Sequence, residues 1–188
     1  LGLKGDSMTG ESAYVQWVLI AFMILFGVNF NLYYMLLLGK VKDVFRNREL
    51  WIYMGVLCGS SVILATQIRS IYGTMSDTIR TAVFQAASMT TTTGFASADF
   101  DQWSGLAKGV LFILLFVGGC AGSTAGGLKM ARIMLLGKGI RRDLRHMTHP
   151  HSVGVVKMEG RRVDNSVTNG VMSYFAVYCL VLAIVFLL

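Results

Sequence analysis

Apolar residues run almost unbroken through four stretches, Tyr14 to Leu38, Leu50 to Ile68, Leu106 to Leu136 and Val167 to Leu188. At about 1.5 Å per residue each is long enough to cross a hydrocarbon core of roughly 30 Å, so the pattern predicts four transmembrane helices. A fifth segment, Thr78 to Met89, carries Ile79, Ala82, Val83, Ala86 and Ala87 at near-helical spacing. It would span only about 18 Å and cannot cross. Ser76 or Asp77 is placed to cap its start, and the run "SMTTTTGFAS" closes it. A short helix that enters, stops and returns through a polar strand is a re-entrant loop, tolerated at membrane depth only where protein buries it or water lines it. The third stretch is irregular too. After Val117 comes "GGCAGSTAGG", and five glycines in ten residues, each costing a helix about 1 kcal/mol relative to alanine, predict a break.

Charge fixes the expected orientation. The chain of 188 residues is 54% hydrophobic with a formal net charge of +7. Lys40, Lys42, Arg46 and Arg48 fill one short loop; Lys129, Arg132, Lys138, Arg141, Arg142, Arg145, Lys157, Arg161 and Arg162 surround another. Basic loops beside apolar spans mark the cytoplasmic side. The first span then runs inward, the second outward, the third inward and the fourth outward, which leaves 69–104 outside with Asp77, Asp99 and Asp101. No aromatic interleaving or recognition motif accompanies the basic residues, so nucleic acid is excluded as a partner and the lipid bilayer expected. Cys58, Cys120 and Cys179 lie far apart, without the spacing of a zinc site or disulfide framework, and read as packing residues. Leu1 and Leu188 both read as ends cut from a longer chain.

The threonine run offers specific chemistry. An ion crossing a membrane sheds water and needs oxygen in return, and a strand facing a pore supplies a ladder of carbonyls. β-branched threonine favours extended backbone, while Gly94 is free to take positive φ. The negative end of the preceding helix dipole would favour a cation at the same place, and Asp99 and Asp101 would form an outer cation mouth.

"QAASMTTTTGFASADFDQWS" followed by "LLFVGGCAGSTAGGLKMAR" resembles the third pore unit of the bacterial Trk-type potassium uptake proteins, within the Trk/Ktr/HKT superfamily. The resemblance implies an all-α membrane protein made of helix, re-entrant pore loop, helix units arranged as a pseudo-fourfold, potassium-channel-like pore. It implies that residues 1–39 hold the closing transmembrane helix of the preceding unit, 40–49 a cytoplasmic loop, 50–136 a complete unit, 137–163 a basic cytoplasmic loop and 164–188 the first helix of the next unit. Thr91, Thr92, Thr93, Gly94 and Phe95 would be the filter, with potassium at Thr92, Thr93 and Gly94. Gly118, Gly119, Cys120, Ala121, Gly122, Ser123, Thr124, Ala125, Gly126 and Gly127 would be a gate loop below it. Against the TVGYG strand of potassium channels, Thr92 stands at the Thr, Thr93 replaces Val, Phe95 replaces Tyr and Ala96 replaces the second Gly, so the choice between potassium and sodium stays open. Further implications are potassium as permeant ion without a bound cofactor, a homodimer, a cytoplasmic nucleotide-binding regulatory subunit, and the bacterial inner membrane.

Other readings compete with parts of this. Gly118, Gly122 and Gly126 fall at i, i+4 and i+8, the small-residue stripe of packed transmembrane helices, and a structural or assembly protein would need nothing more. The loop lacks the Gly-Lys-Ser/Thr ending of a phosphate cradle. Lys129 and Arg132 read first as interfacial, snorkelling residues, and second as charges that stabilise the loop or repel cations. His146, His149 and His151 read as a solvated loop rather than a metal site, because no cysteine or carboxylate stands at ligand spacing. Asn29 and Asn31, inside the first span, are either interhelical hydrogen-bonding or pore-lining groups. No span presents a nucleophile and base or a metal-ligand pair, so an enzyme is not expected.

Overall fold

The computed structural model describes residues 7–148, 157–158 and 161–187. His149, Pro150 and His151 fall outside these, and His146 lies in the last turn of a helix. The helices are α1 (Ala13–Phe26), α2 (Phe30–Leu37), α3 (Val41–Arg46), α4 (Arg48–Ile68), α5 (Met75–Thr90), α6 (Gly105–Phe116), α7 (Met130–Thr148) and α8 (Asn165–Leu187). The sole sheet among the described residues is a two-residue antiparallel pair, β1 (Lys157–Met158) and β2 (Arg161–Arg162). The fold is that of an all-α membrane protein. Two helices, Arg48–Ile68 and Ser166–Val185 within α8, are long and apolar enough to cross a bilayer, and a bent pair, α1 with α2, adds a third.

Three expectations from periodicity are corrected. The first span is not one helix: α1 and α2 meet at 87° around Gly27 to Asn29. Asn29 accepts a hydrogen bond from Asn31 N at 2.9 Å, so its side chain caps α2 and fixes the new direction. The third span breaks from Val117 to Lys129, where the five glycines predict it, but α7 then runs on through Thr148, well into the segment expected to be loop. A hydropathy window averages over the three-residue bend from Gly27 to Asn29 and does not see it. The cap of the short helix is Thr74 rather than Ser76 or Asp77, so α5 begins earlier than Thr78 and reaches 16 residues.

The chain forms two compact units, Leu1–Met130 and Ala131–Leu188. In the first unit α5 packs against α1, α4 and α6. Ala82, Ala86, Ala87 and Ser88 are fully buried along it. In lipid, association of helices depends on packing rather than on escape from water, and small side chains let backbones approach. Phe84 and Ala87 join Met23, Leu57 and Tyr53 on one side, while Ala82 and Ala86 join Leu64, Ile68 and Leu111 on the other. The result is a short helix of about 24 Å held in a cradle of longer ones. In the second unit the Arg132 guanidinium stacks 4.3 Å over the Tyr174 ring, and a Cβ at Gly139 would sit 3.1 Å from Thr168 Cγ2.

The start of α5 is a reciprocal cap. The Thr74 hydroxyl accepts from Asp77 N at 3.2 Å and donates to the Asp77 carboxylate, which also pairs with Arg80 at 2.7 Å. The Thr74 hydroxyl, aided by Arg80, holds the Asp77 carboxyl below its ordinary value. A lowered folded value means the contribution is complete above the unfolded carboxylate pKa and fades as pH falls through the folded one. Thr74→Ala is expected to destabilise the α5 start by about 1 kcal/mol and to move Asp77 upward. Thermal unfolding of the full-length protein and carboxyl NMR titration check the two effects.

Candidate functional site

The end of α5 carries an unusual turn. Thr93 N donates to Ser88 O at 3.0 Å and Thr92 N to Met89 O at 3.2 Å, the pair of bonds that defines a Schellman end. Thr92 therefore occupies the left-handed position, with φ +54°, where glycine is usual. A β-branched residue there costs on the order of 1–2 kcal/mol. Thr91, at φ −87° and ψ 0°, is not extended either. The expectation that threonines hold this backbone straight is corrected at both positions, because closing the helix takes precedence over the extended preference of the side chains. Gly94 has φ +76°, the conformation for which a glycine is needed.

Beyond Gly94 the return strand is anchored. Ser88 Oγ donates to Phe95 O at 2.6 Å, Met8 N to Ala96 O at 2.9 Å, and Gln85 Nε2 to Ala98 O at 3.2 Å. By contrast, among the described residues the carbonyls of Thr91, Thr92, Thr93 and Gly94 accept no hydrogen bond. The hydroxyls of Thr91 and Thr93 lie 2.8 Å apart, and Thr91 Oγ1 also donates to Ala87 O. Thr92 and Gly94 are exposed, Thr91 is buried, and Thr93 and Phe95 are half-buried. Asp99 and Asp101 are exposed just past the strand, where Asp101 N donates to Asp99 Oδ1 at 3.0 Å.

The glycine-rich segment is an unwound hairpin, which removes the packed-stripe alternative for Gly118, Gly122 and Gly126. Its neck is a parallel bridge between Val117 and Leu128, with Gly118 N donating to Leu128 O at 2.8 Å and Met130 N to Gly119 O at 3.0 Å. A Cβ at Gly118 would meet Gly126 O at 2.1 Å, so only glycine fits the crossing. The tip is fixed from several sides. Cys120 N donates to Gly27 O at 2.9 Å, Phe30 N to Gly122 O at 3.1 Å, and Thr124 N to Phe26 O at 3.3 Å. Ala121 N donates to Glu49 Oε1 at 2.6 Å, and Gly126 N to Thr92 Oγ1 at 2.6 Å. Lys129 Nζ donates to Ser123 O at 3.3 Å and to Ala125 O. Lys129 is thus half-buried against the loop, and its contacts fit the second reading of its charge, stabilisation of the loop. Cys120 and Ala125 are buried, Ala121, Ser123 and Gly127 half-buried, and Gly122, Thr124 and Gly126 exposed.

The bend between α1 and α2 is what receives this loop. A helix end leaves carbonyls without intrahelical partners. Here Tyr53 Oη donates to Ile24 O at 3.1 Å and Tyr33 Oη to Leu25 O at 2.6 Å, while the loop takes Phe26 O and Gly27 O. Three residues of this arrangement escaped the sequence reading. Tyr53 is fully buried, although a tyrosine near the end of an apolar span is ordinarily an interfacial residue. Gly27 is an isolated glycine whose absent Cβ leaves room for Tyr53 Oη. Glu49, 5% exposed, stands two residues into α4, where a carboxylate is ordinary because it favours a helix N-terminus. The available signal was an ionisable group at the edge of an apolar span. Asn29 is a cap whose side chain also lies against Gly122, a third role beside the two expected.

A short helix cradled by longer ones, a turn whose carbonyls accept no hydrogen bond among the described residues, and a broken helix whose loop folds back on that turn define the central unit of an all-α membrane fold. Residues 61–188 match the TrkH family, described as cation transport proteins, and the chain belongs to that family. It is 34% identical over 174 residues to the Trk system potassium uptake protein TrkH of Salmonella typhimurium, covering 91% of this chain and 36% of that protein. It is 32% identical over 171 residues to the Trk system potassium uptake protein TrkG of Escherichia coli K12, covering 88% and 35%. The crystal structure of the potassium transporter TrkH from Vibrio parahaemolyticus superposes with a TM-score of 0.90 at 27% identity, over 98% of this chain and 41% of that one. The chain therefore spans little more than a third of the length of these curated relatives.

Proposed function

We propose that this chain contributes one pore unit to a potassium uptake pathway of the bacterial inner membrane. Cations exchange hydration water for the carbonyls of Thr92, Thr93 and Gly94, flanked by Thr91 and Phe95, and the loop from Gly118 to Gly127 obstructs the path beneath them. Residues 50–136 form the complete unit, 1–39 close the preceding one, 164–188 open the next, and 40–49 and 137–163 face the cytoplasm. Potassium is the permeant ion rather than a resident cofactor, and the role is transport, not catalysis. Asp99 and Asp101 raise the local cation concentration at the mouth. The remaining pore units, a second copy of the protein and a cytoplasmic nucleotide-binding regulatory subunit complete the assembly.

One observation carries this reading. The backbone oxygens of Thr91 to Gly94 have no partner among the described residues, while those of Phe95, Ala96 and Ala98 immediately beyond are hydrogen-bonded. Unpaired carbonyls are costly at membrane depth unless water or an ion answers them. The test is rubidium uptake, with sodium as competitor, in vesicles containing the full-length protein. Gly94→Ser forces a side chain onto φ +76° and is expected to lower rubidium uptake at least tenfold, or to erase its preference over sodium. Uptake and preference both equal to wild type would refute the filter assignment.

A further inference from the structure

The filter turn and the glycine loop touch at one polar contact that neither role requires. Thr92 Oγ1 accepts from Gly126 N at 2.6 Å, across 34 residues of sequence. The fit is also steric: a Cβ at Gly126 would lie 2.8 Å from Thr92 Oγ1 and 3.5 Å from both Thr92 Cβ and Cγ2. Thr92 is the β-branched residue held at φ +54°, a conformation that persists only where surroundings over-determine it. Its own helix end supplies two backbone bonds, and the loop supplies the third constraint through the hydroxyl. Asparagine or glycine would occupy the position with less strain but would not present a γ-hydroxyl on a branched carbon to the loop.

We infer that Thr92 is a specificity-determining residue that couples ion selection to the position of the loop, through its hydroxyl on Gly126 N–H; this rests on the filter and gate reading above. When the loop leaves, the hydroxyl loses its donor and a strained turn loses its outside restraint. The unpaired carbonyls from Thr91 to Gly94 are those that shift, because the strand from Phe95 onward is anchored to Ser88 and Gln85. Selectivity is thus set in the loop-held state and relaxes in the displaced state. Coupling of this kind is reciprocal: an ion bound at the filter, preferring one state of the turn, shifts the loop equilibrium by the same factor.

The full-length protein in vesicles tests this with three variants and a double-mutant cycle. Thr92→Val keeps the branched shape and removes the acceptor; losing one such bond is expected to raise basal rubidium flux about 5- to 10-fold and lower the rubidium-over-sodium ratio. Thr92→Ser, which retains the hydroxyl, is expected to return the ratio most of the way. Gly126→Ala, which pushes on the hydroxyl from the loop side, is expected to shift flux and ratio in the same direction as Thr92→Val, and serves if Thr92→Val does not assemble. In a background with Gly119 to Gly126 shortened, Thr92→Val is expected to change nothing further, since its partner is gone. Additive effects in that background would show that Thr92 acts within the filter alone and would overturn the coupling. So would wild-type flux and ratio in both Thr92→Val and Gly126→Ala alongside an altered Gly94→Ser. An unaltered Gly94→Ser would instead remove the filter reading beneath it.

Discussion

Gly118→Ala is expected to leave the protein assembled but leaking, with rubidium flux through the full-length protein raised roughly 5- to 150-fold. The new methyl would sit 2.1 Å from Gly126 O, 2.9 Å from Leu128 O and 3.2 Å from Gly127 C. All three are backbone atoms, so no side chain can rotate away. The neck must open by about an ångström, weakening the Gly118 N to Leu128 O bond at 2.8 Å that closes it. Overpacking of this kind costs about 1–3 kcal/mol, and a bias of that size on a two-state loop corresponds to the stated range of flux. The measurement is tracer uptake at matched protein content, with assembly checked by size-exclusion chromatography. Normal assembly with unchanged flux would mean that the hairpin packs helices and gates nothing.

The second large effect belongs to Glu49. Its buried carboxyl group is the acceptor for Ala121 N at 2.6 Å, a bond linking the start of α4 to the tip of the hairpin. Glu49→Ala leaves that N–H without its acceptor, at a cost of about 1–3 kcal/mol, and is expected to raise basal flux to a similar degree as Gly118→Ala. Glu49→Gln keeps an acceptor oxygen and is expected to fall between Glu49→Ala and wild type. Equal flux in Glu49→Ala and wild type, with Ala121 amide exchange unaltered, would show that the anchor is dispensable. Because Glu49 and Gly118 act on one hairpin, the double variant is expected to be less than additive.

Local chemistry made some of this legible and hid the rest. Five glycines in ten residues announced an unwound segment because glycine destabilises helix whatever surrounds it. Gly94 was legible for a related reason: a glycine ending a β-branched run suggests positive φ, and the backbone adopts it. Thr92 was misread by the same logic, since four threonines suggest extended backbone, yet the Schellman end of α5 places one of them left-handed. The 87° bend of α1 against α2 left no mark in hydropathy, because Val28 is apolar and Asn29 and Asn31 admit several roles. Lys129 reads as a snorkelling cation until its carbonyl partners, four and six residues earlier in a hairpin, are seen.

Order along the chain thus decided that this protein lives in a bilayer, that one short helix cannot cross, and that one span must break. Those properties follow from hydropathy, length and glycine content, which are additive and local. Which carbonyls stay unpaired, that Glu49, Phe26, Gly27 and Thr92 grip the hairpin, and that the filter turn and loop share a hydrogen bond were decided by tertiary structure alone. The contacts on the hairpin join groups 34 to 98 residues apart that meet within 3.3 Å, and no sequence window contains both partners.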